Sequence, residues 1–170
     1  AMMAAMTWTA PMPAPITDPE PLFGPDRPML EAFLADQRRT LLAICAGLTG
    51  EQLASRPVPP STLSLLGLVR HLTKVERIWF RQRASGEPVA LPYDPALGKD
   101  ADFEDLHADR AEQDLAAFRE ECTLADAAAA RLSFDDTFVL RGETCSLRLV
   151  YVHMVAEYAQ HNGHADLLRQ

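Results

Sequence analysis

His153, Glu157, His161 and His164 follow one another at spacings of four, four and three residues near the end of this 170-residue chain. Three of its five histidines are in this run. At about 100° per residue in a helix, the four side chains fall within roughly 80° of arc on one face. Leu149, Val150, Ala156, Leu167 and Leu168 share or border that stripe, while Arg148, Tyr151, Tyr158, Asn162 and Arg169 fall on the other side. Imidazoles and a carboxylate on an apolar face cost free energy unless something satisfies them. A divalent metal would do so, because neutral imidazole and carboxylate are natural zinc ligands and an i, i+4 pair can reach one ion.

A metal site between helices takes ligands from more than one helix facing the same core. His71 is the candidate partner, flanking an apolar seam of Leu65, Leu68, Leu72, Val75 and Trp79. His107 lies in a polar stretch and reads as a bystander. Two ligands from the last helix and one from the second leave a coordination position open, as in catalytic rather than structural zinc sites. His153 and His164 flank the pair as candidates for proton transfer or for orienting the ligands.

Four helices must position these residues. The first spans about 28–48, and Thr49–Gln52 can open one further turn. The second starts at Ser64, a good N-cap, and runs to about Ala84. The third spans about 109–132, with Asp109 and Glu112 as a capping box. The fourth runs from Ser146 to about Leu168. Phe138–Leu140 is a candidate short strand, and 86–108 reads as a long loop able to cover a site mouth. The expectation is an all-α four-helix bundle over 28–170. Residues 1–27, with six of the 13 prolines, form an irregular arm without the pattern of a signal peptide.

The net charge of −8 and the absence of a basic stripe argue against a nucleic-acid partner. No apolar run is long enough to span a membrane. Cys45, Cys122 and Cys145 form no C-x-x-C motif, which fits buried thiols in a reducing cytoplasm. The apolar residues Tyr151, Met154, Val155 and Tyr158 of the last helix offer either a dimer face or packing for the arm. Trp79 and Phe80 read as core.

Two segments carry a resemblance: Leu68-Val69-Arg70-His71-Leu72-Thr73-Lys74-Val75-Glu76, and the run from Val152 to Asp166. From about residue 28 to the end, the chain resembles the DinB-like (YfiT-type) superfamily. That group includes bacillithiol S-transferases and mycothiol-dependent maleylpyruvate isomerase. The resemblance implies an up-down-down-up bundle, often a homodimer, holding zinc or nickel through a second-helix histidine and two last-helix residues four apart. Here those positions are His71, Glu157 and His161, the glutamate matching the mycothiol-dependent variant. His164 falls where the family often has a histidine near the site that is not a ligand. The implied function is transfer of a low-molecular-weight bacterial thiol, mycothiol first, to an electrophilic substrate. Arg70, Arg77 and Arg148 are candidates for holding an anionic group. Two alternatives stand beside this: a non-catalytic metal-binding stress-response or ligand-binding module, and a metal-dependent hydrolase.

Overall fold

The computed structural model describes residues 7–18 and 20–170; the first six residues of the Pro-rich arm and Pro19 lie outside the described residues. The fold is all-α apart from one hairpin. In chain order it comprises α1 (Asp26–Cys45), α2 (Gly50–Ala54), α3 (Leu65–Glu76), α4 (Ala101–Glu104), α5 (Ala111–Ala129), strands β1 (Thr137–Leu140) and β2 (Glu143–Ser146), and α6 (Leu147–Arg169). Helix α1 packs along α6, α3 along α5, and α3 also touches α6. No helix among the described residues is long and apolar enough to cross a membrane.

Helix α3 is the central element. Leu65, Leu66, Leu68, Val69, Leu72 and Val75 are all buried, and so are the polar Arg70, Thr73 and Glu76, so this amphipathic helix is enclosed on most of its circumference. Its first turn is closed by Ser64, whose Oγ accepts from the Gly67 N–H at 3.0 Å. Ser146 caps α6 in the same way through the Leu149 N–H. A reciprocal capping box does occur, but at Thr49 and Gln52, where it opens α2. The box expected at Asp109 and Glu112 is absent: Asp109 lies inside a 3-10 turn (Ala108–Arg110), and α5 begins after it with no side-chain cap.

Past Glu76 the second helix continues as a π-helix over Arg77–Ala84. The wider turn shifts every later side chain off an α-helical wheel. Phe80 is fully buried, whereas Trp79 packs on the core while remaining partly exposed. The segment 86–108 is not a structureless loop. Its short helix α4 packs against α3 and brings Asp102 and Phe103 to the site. The arm is irregular but partly docked. Thr9 bridges Thr49, the Ala10 N–H donates to the Leu48 carbonyl at 2.9 Å, and Ala10 is buried.

The core face of α6 differs from the wheel reading. Tyr151, Tyr158 and Asn162, placed there opposite the apolar stripe, are buried, while Leu149 and Leu167 are exposed. Each polar tip with a partner explains its own burial: the Tyr158 hydroxyl donates to Glu76 Oε1 at 2.7 Å, and Asn162 Nδ2 donates to the Gln37 carbonyl at 3.0 Å. Tyr151, Met154 and Tyr158 therefore fill the interior of this chain and offer no dimer surface. The histidine stripe is rotated from this core face by roughly 80°, so it lies at the edge of the interior rather than within it.

Beneath α3 runs a buried ionic network. Arg38 makes two 2.7 Å bonds to the two Glu76 oxygens and a third to Asp126. Glu76 has no exposed surface, and Tyr158 adds its hydroxyl to the same carboxylate. Such a pair is stable only when its remaining hydrogen-bonding capacity is met, as it is here.

Candidate metal centre

The edge position of the α6 stripe meets the edge of α3 at His71. His71 Nε2 lies 3.2 Å from Glu157 Oε1, and His161 Nε2 lies 3.2 Å from the same oxygen. One ligand-type atom from each of the three residues falls within 4.8 Å of the others. The side chains are 20%, 21% and 14% exposed respectively, so the cluster is sheltered yet reachable from solvent.

The other nitrogen of His71 is held as well. Nδ1 lies 2.8 Å from Asp102 Oδ2, and the Phe103 ring stacks on the imidazole at 4.6 Å and 25°. Asp102 is 1% exposed and also receives Lys74 Nζ at 3.2 Å. Arg70 explains why α4 presents Asp102 at this spot. From α3 its guanidinium donates to the Asp102 carbonyl at 3.0 Å and to the Ala101 carbonyl at 3.2 Å, fixing the backbone of α4 beside His71. Asp102 escaped the sequence reading because it is one of several aspartates in a stretch without periodicity. Nothing local separates it from Asp94, Asp100 or Asp105.

Burial pushes the His71 pKa down, but hydrogen bonds and charge from Asp102 and Glu157 outweigh it and the net shift is upward. Hydrogen bonds from His161 and then His71 hold the Glu157 carboxyl far below the usual carboxylate range, against the upward push of burial. In the metal-free state the cluster therefore holds Glu157 ionised and favours a proton on His71. A cation could displace that proton.

His164 joins through its Nδ1, 3.3 Å from His161 Nδ1. His153 does not reach Glu157; its ring lies against Trp79, with centroids 4.2 Å apart. His107 is remote from the cluster and pairs with Asp105 at 3.1 Å. The three arginines considered for anion binding are engaged elsewhere. Arg70 holds α4 and Asp114, Arg77 binds Glu121 and the Ala90 carbonyl, and Arg148 binds Asp26 and Asp135. None of the cysteines joins the cluster: Cys122 contacts Glu76, Cys145 contacts the Glu143 carbonyl, and Cys45 lies in the core.

The donor set fits a divalent ion: two imidazole nitrogens and one carboxylate oxygen, drawn from two helices, with His71 anchored by a carboxylate on its far nitrogen. No curated protein and no solved structure matches the chain. The family described as mycothiol-S-transferase matches residues 29–170, which include every helix of the fold from the first turn of α1 onward. The chain thus belongs to the mycothiol-S-transferase family, a DinB-like family.

Proposed function

We propose that residues 28–170 form a DinB-like up-down-down-up bundle acting as a divalent-metal-dependent thiol S-transferase, with mycothiol or a close relative as donor. The observation that carries this reading is the convergence of His71 Nε2, Glu157 Oε1 and His161 Nε2. These three residues would hold the ion, zinc foremost. A bound ion of this kind lowers the pKa of a thiol as it does that of water, giving a nucleophile at neutral pH.

The chain's own groups set the tautomers. With Nδ1–H donated to Asp102, His71 keeps its Nε2 lone pair for the cluster. His161 keeps its Nε2 lone pair when its Nδ1–H is donated to His164 Nδ1. His164 then acts through His161 as a positioning residue, and its acceptor nitrogen is occupied. His153, whose nitrogens have no hydrogen-bond partner among the described residues, is left to take the proton that the incoming thiol gives up in becoming a thiolate; the thiolate then forms the C–S bond as the leaving group departs with its electron pair. The thiol comes from outside, because none of Cys45, Cys122 and Cys145 lies in the cluster.

The test is metal content of protein prepared without chelator, followed by turnover of mycothiol with an alkyl or aryl halide. About one ion per chain, lost in His161→Ala, with turnover that needs both thiol and metal, is the expected result. His153→Gln should lower kcat while leaving metal content intact. Turnover without thiol would replace this reading with hydrolysis. Tight metal binding with no turnover of any thiol would leave a binding module.

A further inference from the structure

Helix α1 packs along α6 and α5 along α3, so α1 and α5 face each other across a gap in the bundle. A cleft of about 510 Å³ opens there, within the range of small-molecule sites. Arg27, Glu31, Leu34 and Arg38 of α1 line one side, Asp126 and Ala130 at the end of α5 the other, and Tyr151 of α6 the floor. None of the residues of the histidine cluster reaches it.

Tyr151 is 3% exposed, with its ring held between Phe80 and Phe134 at centroid distances of 5.2 and 5.0 Å. Its hydroxyl has no hydrogen-bond partner among the described residues. The unpartnered side-chain atoms sealed from solvent lie elsewhere, at Ser85 Oγ and Asn162 Oδ1, so the Tyr151 hydroxyl opens to the cleft. Burial first, and then the charges of Glu31 and Asp126, push this hydroxyl's pKa up, while Arg38 and Arg27 pull it down by less. The hydroxyl therefore stands among the four charged residues of the walls, in a field that the carboxylates dominate.

Both arginines are engaged. Arg27 binds Glu31 Oε1 at 2.8 Å and the carbonyls of Ala129 and Leu132, and Arg38 binds both Glu76 oxygens and Asp126 Oδ1. Glu31 Oε2 and Asp126 Oδ2 accept no hydrogen bond among the described residues. Three carboxylates, Glu31, Asp126 and Glu76, stand against two guanidiniums, which leaves one negative charge in excess. A cation with N–H donors supplies both the missing charge and the missing hydrogen bonds.

We propose that this cleft binds a small organic ammonium ion, which donates to the Tyr151 hydroxyl and to the unpartnered carboxylate oxygens at the mouth, with its carbon body against Leu34 and Ala130. The site uses no metal and stands independently of the S-transferase reading.

The test uses the full chain labelled with 13C at tyrosine Cζ, which reports on each of its three hydroxyls. Tyr151→Phe identifies the Tyr151 signal. At pH 7 and low ionic strength, benzylammonium should shift that signal saturably, whereas benzyl alcohol and benzoate should not. Glu31→Gln and Asp126→Asn should each raise the apparent Kd about tenfold, the loss of one charge-assisted bond. His161→Ala, which disables the metal cluster, should leave the response unchanged. An equal shift with benzyl alcohol would mean an apolar hole, and a stronger one with benzoate an anion site; either overturns the proposal. So would no saturable shift, a response unaltered in both carboxylate variants, or a response lost in His161→Ala, which would move the amine to the metal centre. Unfolding curves identify a variant that fails to fold. Asp126→Glu, which keeps the charge, then replaces Asp126→Asn and should retain the response.

Discussion

Removing Asp102 should loosen the metal centre without touching a ligand. Its carboxylate, 1% exposed, holds His71 Nδ1 at 2.8 Å. Loss of a group that orients a metal-binding histidine typically costs ten- to a hundredfold in affinity, or about 1.4–2.7 kcal/mol. The structure places two variants within that range. In Asp102→Asn the amide oxygen can still accept from Nδ1–H, and Phe103 still stacks on the ring at 4.6 Å. Orientation survives and mainly the charge is lost, so zinc should bind about tenfold more weakly. In Asp102→Ala the acceptor disappears and Lys74 loses its carboxylate partner, so the loss should approach a hundredfold. His71→Ala, which removes the ligand itself, should exceed both. The assay is competition for zinc against a chromophoric chelator at fixed pH, with unfolding curves confirming that each variant is folded. A folded Asp102→Ala with wild-type affinity would refute the coupling of α4 to the centre. Equal losses in the Asn and Ala variants would show that charge, not orientation, is what Asp102 supplies.

Three further outcomes are expected. The raised His71 pKa gives the metal-free fold a stabilisation that is full below about 6.5 and is lost as pH rises through the folded-state value, whereas the depressed Glu157 value gives one present above about 4.5 and lost as pH falls. Zinc must displace the His71 proton, so the Tm gain on adding zinc should be small at pH 5.5 and grow towards pH 8; a gain independent of pH would contradict the proton's place in the cluster. A disulfide reagent at pH 7.5 should leave Cys45 and Cys122 unmodified in the folded protein and reach them on unfolding, because burial holds both thiols protonated; mass mapping of the labelled peptides checks this. Glu76→Ala strands Arg38 in the interior with only Asp126 as its ionic partner and should cost about 3–5 kcal/mol in urea unfolding, and a loss below 1 kcal/mol would mean that the network relaxes freely.

The helical stripe His153–His164, the partner His71 on the second helix, the caps Ser64 and Ser146, the turn opened by Thr49 and the strand at Phe138–Leu140 were all legible in the residues. Each depends on interactions within a few positions of the chain: a period of 3.6, a side chain reaching a backbone N–H three residues on, a short apolar run. The capping box at Asp109 and Glu112 shows the limit even there, since a 3-10 turn absorbed Asp109 and moved the helix start.

Tyr151, Tyr158 and Asn162 fall opposite the stripe that Leu149, Val150 and Leu168 mark as apolar, and nothing local shows what their polar tips would meet in the interior. Tyr158 and Asn162 point inward because Glu76 and Gln37, more than seventy residues away in sequence, accept hydrogen bonds from them. Asp102 gained its place at His71 through the grip of Arg70 on the α4 backbone. Residue type and spacing carry the periodic elements and the ligand-bearing faces because those obey short-range geometry. Partners drawn from irregular segments depend on how distant stretches pack, and no short-range geometry encodes that.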